Sequence, residues 1–513
     1  MSINYSSKRI ARNTLMLYIR TGVMMVITFY TTRVLLQQLG VQDYGIYDVL
    51  MGVITLFAFV SGSLTTATQR FVSAALGEGG GEKVTQVFAA SLYMYMLMVT
   101  ISVVLFETLG LWYIDNYINV PVERFIAAKI VYQLVVLQFV FLTFRIPYNS
   151  AVIAYERMDF YAYISIVEAV LALGLVYVLS ISKTDKLILY VALLVVSRLI
   201  VLCSYVLYCR RYIKSCCLIH FNKIPKESFL QIWSFSGWNI FGSFANTANQ
   251  YGVNLIVNLF CGVTVNATIG IANQLTMGMY TLVGNLQTAF NPQIIKLYAA
   301  KEYDSFKALL HRNSKFCFFL YLLLLIPFYI CVADILQLWL GRIPVYSISL
   351  CRCMLVYLAI ESIAYPLTIA IQADGNISRY QQIAGFIFLA FVPLSYLLFS
   401  WEFGVIFVFI ARIIQNMIIM SYRLFYLHRI MSFNVGEYIQ KVVFVCIVVM
   451  LLSFILPWIV YELMNDGWPR MIFVMIIAFF ATSLIVFYVG LSVSERHTTY
   501  KYIMKSIKRK AYK

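Results

Sequence analysis

The sequence predicts an all-α polytopic membrane protein of about 14 transmembrane helices, built as two six-helix lobes plus two extra C-terminal helices. Three observations predict it. Hydrophobic residues make up 62% of the 513-residue chain and charged residues only 12%, whereas a soluble domain is about half apolar and a quarter charged; mean hydropathy is +0.83. Apolar runs of about 20 residues, each able to cross about 30 Å of hydrocarbon, recur from end to end. The chain also resembles itself when slid along by 222 residues. Backbone polar groups in lipid must be satisfied within a segment or a closed barrel. The roughly 10-residue alternation of a barrel strand is missing from the sequence, so the spans are helices.

The first span, 13–39, follows Lys8, Arg9 and Arg12. It is too long for a signal-peptide core and lacks a small-x-small cleavage site, so it is expected to be retained. A short polar turn holding Gly40 and Gly45 leads into the second span, 44–69. The glycine-rich stretch 77–81 separates it from the third, 85–111, and Pro121 precedes the fourth, 125–147. Spans at 160–181 and 187–208 complete the first six. The longest inner loop, 209–228, then leads to 229–260, 267–295, 316–340, 346–370, 380–400 and 404–427, and finally to 441–461 and 470–491.

An even number of spans puts both termini on one side, and the distribution of basic residues selects it. With the termini inside, inner segments and inner helix ends hold 28 Lys and Arg, the outer loops hold five (Arg124, Lys183, Lys186, Arg342, Arg470), and six lie within spans. The net charge of +17 is therefore a topology signal. It does not point to nucleic acid, because no folded domain outside the membrane could hold any. The expected location is a plasma membrane, multi-pass, with cytoplasmic termini. Ten cysteines include Cys216–Cys217 and Cys351-x-Cys353, neither with matching histidines, so no metal site is expected. Loops of a dozen to twenty residues leave no room for a nucleotide-binding loop or a soluble catalytic domain. The expectation is a transporter, not an enzyme, with no cofactor.

At an offset of 222, Gly40 falls on Gly262, Val41 on Val263, Gly62 on Gly284, Leu64 on Leu286, Thr66 on Thr288 and Ala67 on Ala289. At 219, "PYNSAVIAYERMDFY" (147–161) meets "PLTIAIQADGNISRY" (366–380). At 214, "SRLIVLCSYVLY" (197–208) meets "ARIIQNMIIMSY" (411–422), pairing Arg198 with Arg412. Three blocks in order at nearly one offset predict an N-lobe (1–215), a C-lobe (216–428), two helices outside the repeat (429–491) and a basic cytoplasmic tail (492–513). The offset contains an even number of spans, so the repeats run parallel about an axis along the membrane normal. In the tail, Tyr500, Ile503, Met504, Ile507 and Ala511 line one apolar helical face, as in a helix lying on anionic lipid.

Arg33 near the end of the first span, Leu39-Gly40, then Tyr44-Gly45 and Tyr47 resemble the opening of the polysaccharide-exporter (Wzx-type flippase) branch of the multidrug/oligosaccharidyl-lipid/polysaccharide transporter superfamily. "TTATQRFVSAALGEGG" (65–80) resembles that family's end of the second helix, and "IPYNSAVIAYER" its proline-marked end of the fourth. The resemblance implies fourteen helices as 6 + 6 + 2. It further implies translocation of a polyprenyl-diphosphate-linked oligosaccharide (an O-antigen or capsule-type repeat unit) across the bacterial inner membrane by alternating access. The lipid-linked oligosaccharide and membrane lipids are then the partners, with glycan polymerase machinery a candidate. The alternatives are a cation-coupled multidrug exporter of the same superfamily and a membrane glycosyltransferase or polymerase. The first would favour an acidic, aromatic cavity, and the second needs larger outer loops than this chain has.

A charge at a helix centre costs about 2.5–3.5 kcal/mol on insertion scales, so each one in a span needs a reason. Arg33 and Asp48 flank the first outer turn at similar depth and read as a structural ion pair. Arg198 and Glu168 share a depth on adjacent spans and can also pair. Arg20 and Arg412 show no acidic neighbour at their depth. Lys129 and Arg352 lie near the outer face, where long cations snorkel, and Arg145 lies at the inner mouth of the fourth span, where a topology role suffices. Taken functionally, Arg145, Arg20, Arg198, Arg412, Arg352 and Lys129 form a cationic ladder for an anionic headgroup, since guanidinium meets phosphate oxygens with paired donors. Asn246, Gln250, Asn254 and Asn258 repeat at i+4 along the seventh span, and the eighth carries Asn285. Either interhelical hydrogen bonding or a water-filled cavity accepting sugar hydroxyls explains them. The four histidines all fall on the inner side, which leaves Glu168 and Glu361 as coupling-ion candidates.

Overall fold

The computed structural model describes residues 2–55, 58–117, 121–213, 216, 226–341 and 343–497. The described residues are helical with no strand. α1 (Ser2–Thr55) is two helices joined at Gly40, which adopts φ 76°, ψ 168°. α2 (Ala58–Gly77) extends the second arm eight residues beyond the predicted end of that span. α3 (Glu82–Leu105) continues through a π turn, Phe106–Gly110, to Tyr117. α4 (Phe125–Ala154), α5 (Met158–Ile181) and α6 (Lys186–Tyr212) follow. α7 (Lys226–Ala299) is again two arms, joined at Gly262 with φ 77°, ψ 179°. Then come α8 (Tyr303–Ile330), α9 (Val332–Leu340), α10 (Ser347–Asp374), α11 (Ser378–Ser400) and α12 (Val405–Met431). A short helix and a π turn (Ile439–Phe444) open into α13 (Val445–Leu463), and α14 (Trp468–Ile485) ends the bundle. Ten helical stretches are long and apolar enough to cross a membrane by length and composition. The two arms of α1, with α2, and the two arms of α7 account for the remaining four of the predicted spans.

Several boundaries differ from the sequence expectation for definite reasons. The predicted loop between the seventh and eighth spans is one kinked residue, because a glycine in a region open almost only to glycine breaks the helix without a loop. Pro147 does not end α4. It sits inside the helix, which runs on to Ala154, removing one backbone hydrogen bond without stopping the element. The predicted ninth span, 316–340, begins thirteen residues earlier and breaks at Cys331. The amphipathic face predicted at 500–511 lies outside the described residues.

The residues aligned by the internal repeat share unusual conformations. Gly40 and Gly262 are both kinks, Pro147 and Pro366 both lie inside helices, and Glu156 (φ 59°) falls on Gly375 (φ 93°), both left-handed.

The chain divides into two compact units. One comprises Met1–Phe244, Thr288–Glu302 and Gln372–Gln381; the other comprises Ala245–Gln287, Tyr303–Ile371 and Gln382–Lys513. The core of the first packs Leu35, Leu50, Phe106, Tyr132, Val135, Val176 and Val191. Its π turn fits this packing: the Phe106 carbonyl accepts from the Leu111 amide and also from the Tyr132 hydroxyl at 2.7 Å. In the same unit, Arg70 donates to the carbonyls of Gln372 (3.0 Å) and Ala373 (2.9 Å), two of the orphan acceptors at the end of α10. Glu156 accepts from Gln293 (3.1 Å) and Lys296 (2.8 Å). Before α6, Arg124 pairs with Asp43 and Asp185, and Asp185 also caps α6 by accepting from the amides of Leu187 and Ile188. The second unit packs Val253, Ile269, Leu336, Leu350, Phe391 and Phe409.

Candidate functional site: a cationic cavity within the first unit

α1, α4, α5 and α6 line an open cavity of about 600 Å³, within the usual range for small-molecule sites of about 300–1,000 Å³. Glu168 lies ten residues into α5 and Arg198 twelve residues into α6. At about 1.5 Å per residue both are deep in their spans. Arg145, nine residues short of the end of α4, comes to the same level because α4 continues past Pro147. One Glu168 oxygen accepts from Arg145 Nη1 at 2.8 Å and the other is paired with Arg198 Nη1. A single carboxylate thus bridges two guanidiniums. Arg20 also lines the cavity, its Cζ 4.5 Å from the centroid of the Tyr161 ring. The Nε atoms of Arg20 and Arg198 are buried and carry no hydrogen bond. Three guanidiniums against one carboxylate give the cavity a net charge of about +2, since arginine stays protonated in proteins. Among its lining residues there is no histidine.

The two ends of the cavity differ. Arg20, Tyr161, Asn149 and Tyr205 lie at the end nearer the N-terminus of α1; the Tyr205 hydroxyl donates to Asn149 Oδ1 at 3.2 Å, and Arg145 faces the Tyr205 ring. The opposite end is walled by Tyr44, Tyr47 and Tyr190. The Gly40 kink positions the first two on the opening turns of the second arm, and Tyr47 meets Tyr190 edge-on at 5.4 Å.

Of the residues singled out in the sequence, this cavity gathers Arg20, Arg145, Arg198 and Glu168. The others stand elsewhere. Lys129 pairs with Asp115 at 2.8 Å and is nearly half exposed. Arg352 lies over the Tyr329 ring and reaches its carbonyl at 3.4 Å. Arg412 is buried over the Tyr357 ring. Glu361 pairs with Arg423 at 3.2 Å, beside a void of about 10 Å³, room for one water at most. Asn246 and Gln250 are exposed, Asn254 is half-buried and Asn285 is buried. It is Asn249, one residue off that stripe, that donates to Gln415 at 3.2 Å. The side chains of Arg33 and Asp48 lie outside the described residues. The sequence pointed to neither Arg423 as the partner of Glu361 nor the tyrosine wall. The only signal for the wall was the Tyr44-Gly45-x-Tyr47 spacing, and Tyr190 carries none.

No family model matches the chain, and no curated protein matches it. Solved structures do. A crystal structure of a MATE transporter in its bent conformation aligns with a TM-score of 0.70 at 14% identity, covering 85% of this chain and 97% of the other. An outward-facing multidrug resistance MATE transporter of the MOP superfamily aligns at 0.68 and 14%, over 82% and 95%. A MOP superfamily transporter from Pyrococcus furiosus Vc1, described as having a binding pocket of reversed polarity that suggests a different function, aligns at 0.68 and 14%, over 84% and 96%. The chain therefore has the fold of these transporters.

Proposed function

We infer that the protein is an exporter of the MOP type, and that its substrate is a lipid-linked saccharide carrying a diphosphate, moved across the bacterial inner membrane by alternating access with both termini cytoplasmic. The observation that carries this reading is the composition of the first unit's cavity: Arg20, Arg145 and Arg198 around one carboxylate, deep in the membrane. Burying such charges is costly unless they serve a ligand pathway or one another, and a diphosphate offers the anionic oxygens that planar guanidinium forks recognise in pairs. Tyr44, Tyr47 and Tyr190 supply aromatic faces and hydroxyls at the other end, suited to the apolar faces and hydroxyls of a sugar ring. Arg352, Arg412, Lys129 and the amides Asn246, Gln250, Asn254 and Asn285 are candidate contacts along the rest of the path.

The multidrug reading rests on the similar solved structure described as a multidrug resistance transporter. An organic cation would have to enter a cavity with two surplus positive charges, which argues against it. A coupling cation at Glu168 or Glu361 would compete with arginines already paired there.

The test is translocation in proteoliposomes. A fluorescent polyprenyl-diphosphate disaccharide should cross faster with protein than without, and deletion of the gene should leave such a lipid-linked oligosaccharide on the inner face. Transport of an organic cation, with no movement of the diphosphate lipid, would instead favour the multidrug reading.

A further inference from the structure

We propose that Glu168 is a built-in counter-anion for this cavity, occupying the place of the substrate's phosphate and yielding it when the substrate binds. The inference rests on the reading of the cavity as an anion site and specifies how that site is kept before loading.

The geometry carries it. Each oxygen of Glu168 meets a different arginine, Arg145 on α4 and Arg198 on α6, as one phosphate group would bridge them. The bridge leaves donors unspent, for Arg198 Nε and Arg20 Nε are buried and without hydrogen bonds. This cluster holds its cations together with one carboxylate, leaves those two buried donors unspent and borders a cavity of about 600 Å³. Without Glu168, three guanidiniums would share a low-dielectric space and repel one another. With it, the empty cavity keeps a smaller excess of charge, and the two arginines stay at a separation suited to an anion.

The consequence is competitive. A phosphate must displace the carboxylate from Arg145 and Arg198 before it gains their donors, so Glu168 weakens anion binding while keeping the empty site ordered. It also sets specificity. A mono-anionic ligand gains little by exchanging one carboxylate for another, whereas a diphosphate brings more charge and more acceptors and can engage Arg20 as well.

The test uses the full-length protein in nanodiscs and inorganic pyrophosphate as the probe, with binding measured by calorimetry and folding checked by thermal melting. Glu168→Gln removes the competing charge and should bind pyrophosphate about tenfold more tightly than the natural protein, equivalent to about 1.4 kcal/mol. Glu168→Asp keeps the charge but is one methylene too short to bridge both arginines, and it should also bind more tightly. If Glu168→Asp behaves like the natural protein while Glu168→Gln gains, the carboxylate acts only as background charge and displacement is wrong. Weaker binding in both variants would also overturn it, since Glu168 would then position the arginines for the ligand. Arg198→Ala separates this inference from the reading beneath it. Loss of pyrophosphate binding in Arg198→Ala, with no gain in either Glu168 variant, sinks the displacement and leaves the anion site. Binding that neither Arg198→Ala nor Arg145→Ala changes sinks both.

Discussion

Arg20 differs from its neighbours in the cavity because no carboxylate reaches it among the described residues; it lies over the Tyr161 ring with its Nε unspent. Both Arg20→Ala and Arg20→Lys are predicted to cut export while the protein still inserts. Lysine keeps the charge but has neither the planar face that stacks on tyrosine nor the paired donors. Unchanged surface glycan in cells carrying Arg20→Ala would remove Arg20 from the site. Arg412 tests the same electrostatics elsewhere. It is 5% exposed, so Arg412→Glu buries an unpaired carboxylate and should export less than Arg412→Ala; equal export by the two variants would exclude a role for its charge. The sequence alone could name Arg20, Arg198 and Glu168, because a charge inside an apolar run is conspicuous. Arg145 reads in the sequence either as a topology charge or as the inner rung of the ladder, since Pro147 looks like a helix end. Facing was illegible for every one of them, because a single sequence fixes depth along a helix but not the rotation of that helix against its neighbours.

Two glycine classes can be separated at the scale of the element. Gly40 and Gly262 hold kinks at positive φ with open space around them, so alanine there meets only backbone strain, of order 1–3 kcal/mol. Gly77 has ordinary helical geometry, but a Cβ would come within 2.4 Å of the Lys296 carbonyl oxygen, and backbone must move to accommodate it. Gly77→Ala should therefore lower the melting temperature of the purified protein more than Gly40→Ala does; the reverse order would show that the kinks, and not this close approach, limit stability. Arg70→Ala removes two charge-assisted hydrogen bonds to the carbonyls ending α10, each worth about 1.5–3 kcal/mol. It should destabilise the protein without altering pyrophosphate binding, because Arg70 does not line the cavity. Most spans could be read from the sequence, because an apolar run about 20 residues long has few alternatives in lipid. The kinked helices could not, because a lone glycine between two apolar runs reads equally as a loop. Pro147 misled for a related reason: neighbouring helices stabilise a proline that would break an isolated helix.

The whole molecule is a multi-pass membrane protein with the fold of MATE and MOP transporters, and within that fold the sign of the cavity is what separates the candidate substrates. The apolar runs that form the helices could be read in the sequence. The cavity could not, since it draws on residues from 20 to 205 that only packing brings together. The amide stripe of the seventh span drew more weight in the sequence than the tyrosines did, yet Tyr44, Tyr47 and Tyr190 line the cavity and the amides do not. The measurement that bears most directly on the central claim is translocation of a fluorescent polyprenyl-diphosphate disaccharide in proteoliposomes, comparing the natural protein with Arg198→Ala at equal incorporation. The account predicts protein-dependent translocation that Arg198→Ala loses, while both proteins melt at similar temperatures. Translocation at the natural rate in Arg198→Ala would contradict it.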